Sequence, residues 1–244
     1  MDTPQAAPAF TPYGFAHLAL LIVTVIGAVL LVRFGRRHRG TPEAETFTRV
    51  FAIVQLTVTL GFMTLWLIPP FFDLQQSLPL HLSDVLRLVT AYALWSRRPW
   101  AFALTYYWGL TLNPQALLTP DLHPRIAPAL ELASYWSQHI LVMWAAVYLT
   151  WGLGLHPSWR SYRLTLAVTA SWIVVVFPIN SALGTNYGYL NGRPGSASLL
   201  NLMGKWPWYL LTVPALVAAV WALITWPWTR RTPGAAVTRP GEPW

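Results

Sequence analysis

Residues 13–34 read YGFAHLALLIVTVIGAVLLVRF, an apolar run whose one charged side chain is Arg33. A hydrocarbon layer about 30 Å thick is crossed by a helix of about 20 such residues, so this run is long enough to span a bilayer. The sequence predicts seven spans of this kind, at 13–34, 48–68, 79–96, 99–118, 132–153, 164–183 and 207–228. The predicted fold is therefore all-α, a polytopic membrane protein built as a seven-transmembrane-helix bundle.

The composition supports a membrane protein and excludes a soluble domain. Hydrophobic residues make up 55% of the chain and charged residues only 10%, which is far from the average of soluble proteins. The chain has no cysteine, which excludes disulfides and thiolate metal sites. The first residues, MDTPQAAPAFTP, lack the basic segment of a signal peptide. We therefore expect an exterior tail at 1–12, a transmembrane domain at 13–228 and a cytoplasmic tail at 229–244.

The basic residues predict which side of the membrane each loop occupies. Basic loops are retained in the cytoplasm. Twelve of the 16 Lys and Arg residues fall on one side of the predicted bundle. They are Arg33, Arg36, Arg37, Arg39, Arg49, Arg97, Arg98, Arg160, Arg163, Arg230, Arg231 and Arg239. The N-terminus is then outside and the C-terminus inside. The net charge of +8 reflects this topology and contact with anionic lipids, and we expect no nucleic-acid partner.

The stretch LPLHLSDVLRLV, residues 78–89, places ionisable groups in the third predicted span. At 100° per residue, His81, Ser83, Asp84 and Arg87 share one arc of the helix. Charged side chains that face lipid at this depth cost a few kcal/mol each, so the arc is predicted to face the bundle interior. Asp84 and Arg87 are three residues apart and are predicted to pair on one helix face.

Other polar residues are predicted at the same depth, in the outer half of the bundle. Together with the polar arc of the third span, they are predicted to line one outward-facing pocket. The predicted substrate-binding residues are Arg87, Asn113, Gln115, Asn180, Asn186, Tyr187 and Trp208. A different interpretation is that these groups only hold helices together through hydrogen bonds, each contributing about 0.5 to 2 kcal/mol.

Three kinds of function can be built from the pocket. In the first, Ser83 is a nucleophile and His139 its general base, with His81 or Asp84 assisting and Asn113, Gln115 or Asn180 as oxyanion donors. In the second, His81, Asp84 and His139 bind zinc in an intramembrane hydrolase, although the sequence has no HExxH motif. In the third, the pocket belongs to a non-enzymatic transporter or ligand-binding protein. The first is preferred, with no metal and no other cofactor.

Five segments in order resemble the YwaF family of bacterial seven-helix integral membrane proteins, which is related to the animal transmembrane protein 164. They are LPLHLSD (78–84), YYWGLTLNPQALLTPDL (106–122), SQHILVMWAAVYL (137–149), NYGYLNGRPGSASLLNLMG (186–204) and WPWYLL (206–211). The resemblance covers almost all of residues 13–228. It implies the seven-helix fold and a multi-pass location in a bacterial plasma membrane.

The resemblance also implies a chemistry. The animal relative is a lipid acyltransferase that uses a Cys nucleophile and a His, which implies membrane lipids and an acyl chain as partners here. The family motif reads like LHLCD, and Ser83 stands at its Cys position. The His of the family's SH motif falls on His139, where Gln138 replaces the Ser. The catalytic residues implied are therefore Ser83 and His139. The acyl donor and the oligomeric state are left open.

Overall fold

The computed structural model describes residues 10–122, 127–194 and 199–230, and this part of the chain contains helices and no strand. The α-helices are α1 (Phe15–Arg37), α2 (Pro42–Trp66), α3 (Leu82–Ser96), α4 (Pro99–Tyr107), α5 (Asn113–Leu118), α6 (Pro128–Val147), α7 (Trp159–Leu183) and α8 (Tyr209–Thr229). The all-α prediction is confirmed. Most of the two predicted tails lies outside the described residues, as do Arg125, Arg231 and Arg239.

Among the described residues, four helices are long and apolar enough to cross a membrane: α1, α2, α7 and α8. Their apolar side chains point outward, with Val25 63%, Val174 71% and Leu211 68% exposed. Such extensive apolar surface needs lipid to cover it, so the chain is a multi-pass membrane protein. The three remaining predicted spans also fall on helices: the third on α3, the fourth on α4 and α5, and the fifth on α6.

The helix boundaries follow from local chemistry. Helix α2 begins at Pro42, six residues before the predicted start at 48, because Thr41 caps it by accepting a hydrogen bond from the Ala44 N–H. Helix α3 begins at Leu82 with His81 as its N-cap residue. It ends at Ser96, because Arg97 adopts a left-handed conformation at φ 52°. With 15 residues, α3 is shorter than α1, α2, α6, α7 and α8.

The middle of the bundle is formed by α4 and α6, which pack closely through small residues. Ala101, Ala103, Ala145 and Ala146 are completely buried. Each of these helices continues into a π-helical turn, at Trp108–Leu112 and Tyr148–Gly152. The first turn directly precedes Asn113 and Pro114. Because proline has no N–H to donate, it disturbs the regular hydrogen bonds one turn earlier.

Basic side chains gather at one end of the bundle. Arg36 donates to the Trp151 carbonyl at 3.1 Å and Arg39 donates to the Gly152 carbonyl at 2.7 Å. Arg97 pairs with Glu45 at 2.5 Å. The loops after α1, α3 and α6 therefore meet at the same end, as the charge pattern predicts. The polar residues of the third predicted span lie toward the opposite end, where α3 begins.

Candidate functional site

A cavity of about 1320 Å³ opens at the end of the bundle where α3 begins. Eight of the predicted site residues line it: His81, Ser83, Asp84, Arg87, Asn113, Gln115, His139 and Asn186. They come from α3, α5, α6 and the loop after α7. The structure thus brings together groups that are far apart in the sequence, as the predicted pocket requires.

Ser83 lies in the first turn of α3, partly buried on the cavity wall. The N-cap residue of this helix is His81, whose Nδ1 accepts a hydrogen bond from the Gly188 N–H at 3.3 Å. The His81 ring also packs edge-on against Tyr187, with the ring centroids 4.9 Å apart. The loop after α7 therefore fixes the His81 ring. Since Nδ1 accepts, the hydrogen of the neutral ring is on Nε2.

Asp84 and Arg87 form the predicted ion pair within α3. The Arg87 Nη1 donates to the Asp84 Oδ1 at 2.8 Å, and both side chains are nearly buried, at 13% and 12% exposed. The other carboxylate oxygen of Asp84 accepts the backbone N–H of His81 at 3.0 Å. This second bond satisfies one of the free N–H groups at the start of the helix. Asp84 thus holds both Arg87 and the first turn that carries Ser83.

His139 is held by two reciprocal hydrogen bonds to Asn113. The His139 Nδ1 lies 2.7 Å from the Asn113 Oδ1, and the Asn113 side-chain NH₂ donates to the His139 carbonyl oxygen at 3.0 Å. Since the amide nitrogen is used as a donor, Oδ1 is the acceptor and Nδ1 carries the hydrogen. The Nε2 of His139 then keeps its lone pair, which is the form a general base requires.

The same contact involves a residue that has another predicted role. The sequence predicts Asn113 as a donor to an oxyanion, and one of the two N–H groups of its side-chain amide is bonded to the His139 backbone. Asn113 is 4% exposed and His139 is 5% exposed, so the pair is buried against the cavity. Asn113 orients His139 through these two bonds.

Several residues of the wall are absent from the predicted site, including Tyr135, which packs on His139 with ring centroids 4.5 Å apart. Its hydroxyl donates to the Ala116 carbonyl at 2.7 Å, which ties α6 to α5. The spacing of four residues between Tyr135 and His139 places both on one helix face, and this signal is present in the sequence. Gln138 also lines the cavity, and its side-chain NH₂ donates to the Ser134 Oγ at 2.8 Å.

Tyr189 and Asp121 close part of the cavity from the loops. The Tyr189 hydroxyl donates to the Asp121 Oδ2 at 2.7 Å. Burial raises the pKa of the Tyr189 phenol, and the charge of Asp121 raises this pKa further. Tyr189 therefore stays protonated and remains a donor at physiological pH. This contact connects the loop after α7 to the chain just beyond α5.

Three predicted substrate-binding residues do not reach the cavity wall. Asn180 is completely buried, and its side chain bonds to Thr185 and to the backbone of Tyr187. The Tyr187 hydroxyl accepts the Leu78 N–H at 3.0 Å and donates to the Leu74 carbonyl. Trp208 is 67% exposed on the bundle surface. Asn180 and Tyr187 therefore shape the loop that holds His81, and Trp208 lies apart from the site.

One side of the cavity is apolar and runs between α7 and α8. The wall includes Leu166, Ala170, Ile173 and Phe177 of α7, which recur at three- and four-residue spacing and so share one helix face. The facing wall of α8 runs from Leu210 to Trp221. Phe177 is eleven positions after Leu166, which corresponds to about 16 Å along the helix. The polar site is therefore continuous with an apolar groove.

A zinc site in a protein takes three or four ligating side chains. Within the described part of the chain, no three His, Asp or Glu side chains are grouped so that they could hold a metal ion. Asp84, one of the three predicted zinc ligands, is bonded through both oxygens to Arg87 and the His81 backbone. The zinc alternative therefore has no ligand set among these residues.

Comparison with known proteins identifies the family. The chain matches no curated protein and no solved structure. The model of the TMEM164 family matches residues 12–225, which is most of the chain and reaches from α1 into α8. The matched region contains the whole cavity. The chain therefore belongs to the TMEM164 family.

Proposed function

We propose that the protein is a membrane enzyme that transfers or hydrolyses the acyl group of a lipid, with Ser83 as nucleophile and His139 as general base. One observation carries the proposal: Ser83 and an oriented His139 line one cavity that continues into an apolar groove. A groove of this kind suits an acyl chain, while the polar end suits the ester group. A transporter would instead need a polar path through the bundle, and this groove is apolar.

The proposed reaction proceeds through an acyl-enzyme. The Nε2 of His139 takes the proton of the Ser83 hydroxyl, and the Ser83 Oγ forms a bond to the carbonyl carbon of the ester. The bond from that carbon to the alcohol oxygen then breaks, and the departing oxygen takes the proton from His139. Water or a second lipid hydroxyl next attacks the acyl-serine by the same steps in reverse, which gives hydrolysis or transfer.

The other residues of the site assist through position. Asn113 fixes the ring of His139 through the bond to Nδ1. Asp84 anchors the first turn of α3 through the His81 N–H. The two side chains that react must come within about 3 Å of each other, or be bridged by one water, when substrate is bound.

We further propose that all seven helical runs cross the membrane, with the N-terminus outside and the cavity open to the outer leaflet. The collection of Arg36, Arg39 and Arg97 at the opposite end supports this orientation. Within the family, the resemblance in the segments around Ser83 and His139 favours the YwaF members, and with them a bacterial plasma membrane.

The test is turnover of a phospholipid substrate by purified protein in detergent. Ser83→Ala and His139→Ala are each expected to abolish acyl release, with little further loss in the double variant, because the two residues act as one unit. Ser83→Cys is expected to retain activity, since a thiol is a stronger nucleophile. A lipid-like fluorophosphonate is expected to label the unaltered protein and not Ser83→Ala.

The chain offers matched controls for both residues. Ser137→Ala changes a serine of α6 that donates to the Ser134 carbonyl, and His156→Ala changes a histidine stacked on Trp228. Both control variants should leave turnover unchanged. Turnover that survives Ser83→Ala would exclude Ser83 as the nucleophile. No turnover by the unaltered protein, together with no labelling, would replace the enzyme with a binding or transport protein. Stoichiometric zinc in the purified protein, lost on His81→Ala, would point to a metal hydrolase.

A further inference from the structure

Arg87 holds a buried guanidinium whose hydrogen-bonding capacity is only partly used. A guanidinium has five N–H donors and no acceptor. One donor bonds to the Asp84 Oδ1 at 2.8 Å. Among the described residues, the buried Nε of Arg87 has no hydrogen-bond partner. The side chain lines the cavity and is only 13% exposed. Because the Nε is itself buried, the donors that a ligand in the cavity can reach are those of the terminal Nη nitrogens.

Asp84 does not satisfy all the hydrogen-bond donors of the Arg87 guanidinium. Arginine and carboxylate often pair through two parallel bonds, but here the second Asp84 oxygen is bonded to the His81 N–H at 3.0 Å. The pair is therefore single-bonded. A buried cation is stable only when its hydrogen-bonding groups are satisfied, so Arg87 has donors left for a further acceptor.

The helical register places any acceptor that binds these remaining donors next to Ser83. Residues 83 and 87 are four apart and lie about 40° from each other on the helix, whereas residues 84 and 87 are about 60° apart on the other side. Arg87 therefore lies between Ser83 and Asp84 around the helix axis. Its bond to Asp84 shows that its side chain points back toward the first turn. A group bound to the free donors lies at the level of Ser83.

The apolar groove determines what kind of molecule carries the acceptor. It runs along Leu166, Ile173 and Phe177 of α7 and faces Val217 and Trp221 of α8. A ligand that fills the groove and also reaches Arg87 has a long apolar chain and a head group that accepts hydrogen bonds. A planar carboxylate matches the guanidinium fork through two oxygens.

We propose that Arg87 binds the carboxylate of a long-chain fatty acid, with the acyl chain in the groove between α7 and α8. The assignment rests on the proposed function, because the fatty acid is the product that hydrolysis of an acyl-Ser83 releases at this position. The site then holds the product before it leaves, and an added fatty acid competes with the lipid substrate.

Binding of oleate tests the site without any chemistry. The measurement uses the full chain carrying Ser83→Ala, in nanodiscs of phosphatidylcholine, with radiolabelled oleate as the probe. Saturable binding is expected, and adding Arg87→Gln is expected to raise Kd about 10- to 100-fold, which corresponds to the loss of charge-assisted hydrogen bonds. Methyl oleate, which has no charge, should bind weakly and equally to both proteins.

Two further variants keep the result interpretable. Arg87→Gln leaves Asp84 buried without its partner, so the double variant Asp84→Asn with Arg87→Gln is measured as well and should show the same loss. Arg49→Gln removes an arginine that pairs with Glu45 at 3.1 Å, away from the cavity, and it should leave oleate binding close to unchanged.

The outcomes separate this proposal from the proposed function. Oleate binding that is equal with and without Arg87→Gln overturns the assignment, as does a single-chain phosphate monoester that binds through Arg87 when oleate does not bind. If oleate binding depends on Arg87 while Ser83→Ala leaves lipid turnover intact, the fatty-acid site stands and the Ser83 mechanism fails.

Discussion

At the scale of single residues, the contact between His139 and Asn113 decides what His139 can do. The bond to Nδ1 is 2.7 Å long and the return bond to the His139 carbonyl is 3.0 Å. Together they fix the ring and its tautomer, so that Nε2 is available as a base. Asn113 does not need to contact the substrate for this role.

Asn113→Ala is therefore expected to lower kcat at least about tenfold, equivalent to about 1.4 kcal/mol in the barrier, while KM changes little. A misoriented base slows the chemical step and leaves binding of the lipid chain intact. Steady-state turnover of the phospholipid measures both constants. Asn191→Ala is the control, because the Asn191 side chain donates to Ser181 in an exposed position. An unchanged kcat would show that Asn113 contributes only to the packing of the helices.

At the scale of elements, the loop between α7 and α8 holds His81 through one glycine. Gly188 has φ 67°, and a Cβ at this position would overlap the ring of Trp172. Trp172 cannot move freely, because its Nε1 donates to the Leu80 carbonyl at 3.0 Å. The turn therefore depends on the absence of a side chain at residue 188.

Gly188→Ala is expected to lower both thermal stability and lipid turnover, because the loop must shift and the His81 Nδ1 then loses its donor. Gly184→Ala is the matched control, since Gly184 has φ 65° but open space where a Cβ would lie. Strain alone should cost about 1 to 2 kcal/mol at Gly184, and Gly188→Ala should cost more. Thermal unfolding in detergent compares the stability of the two variants. Equal losses of stability would show that the contact between a side chain at residue 188 and Trp172 is unimportant.

At the scale of the whole molecule, the basic end of the bundle predicts the orientation in the membrane. The chain has no cysteine, so each introduced cysteine is a single reporter. Arg37 is the last residue of α1 and Gln76 lies in the loop after α2, and both are exposed. They belong to the first and second loops of the predicted topology, which face opposite sides.

In intact cells, a cysteine at Gln76 is expected to react with an impermeant thiol reagent, and one at Arg37 is expected to react only after the membrane is permeabilised. The reason is retention of the basic loop in the cytoplasm. Labelling is measured on the purified protein after the reaction is stopped. The reverse pattern would place the cavity in the inner leaflet.

Much of the fold is predictable from short-range pattern, because apolar runs and charged breaks act locally. The seven runs all fall on helices. The Asp84 to Arg87 pair is predictable as well, since spacing on one helix determines it. The start of α2 at Pro42 does not follow from hydropathy, because its first turn is polar and capped by Thr41.

The sequence by itself determined an all-α chain with membrane-spanning helices and a polar arc on α3, because periodicity and hydropathy depend only on neighbouring residues. The tertiary structure alone decided which atoms of different elements meet. His139 and Asn113 are 26 residues apart, and Gly188 is 107 residues from His81. Such contacts depend on how helices pack and how a loop folds back, so no local pattern specifies them. For the same reason Asn180 and Tyr187, predicted on the wall, support the loop behind it.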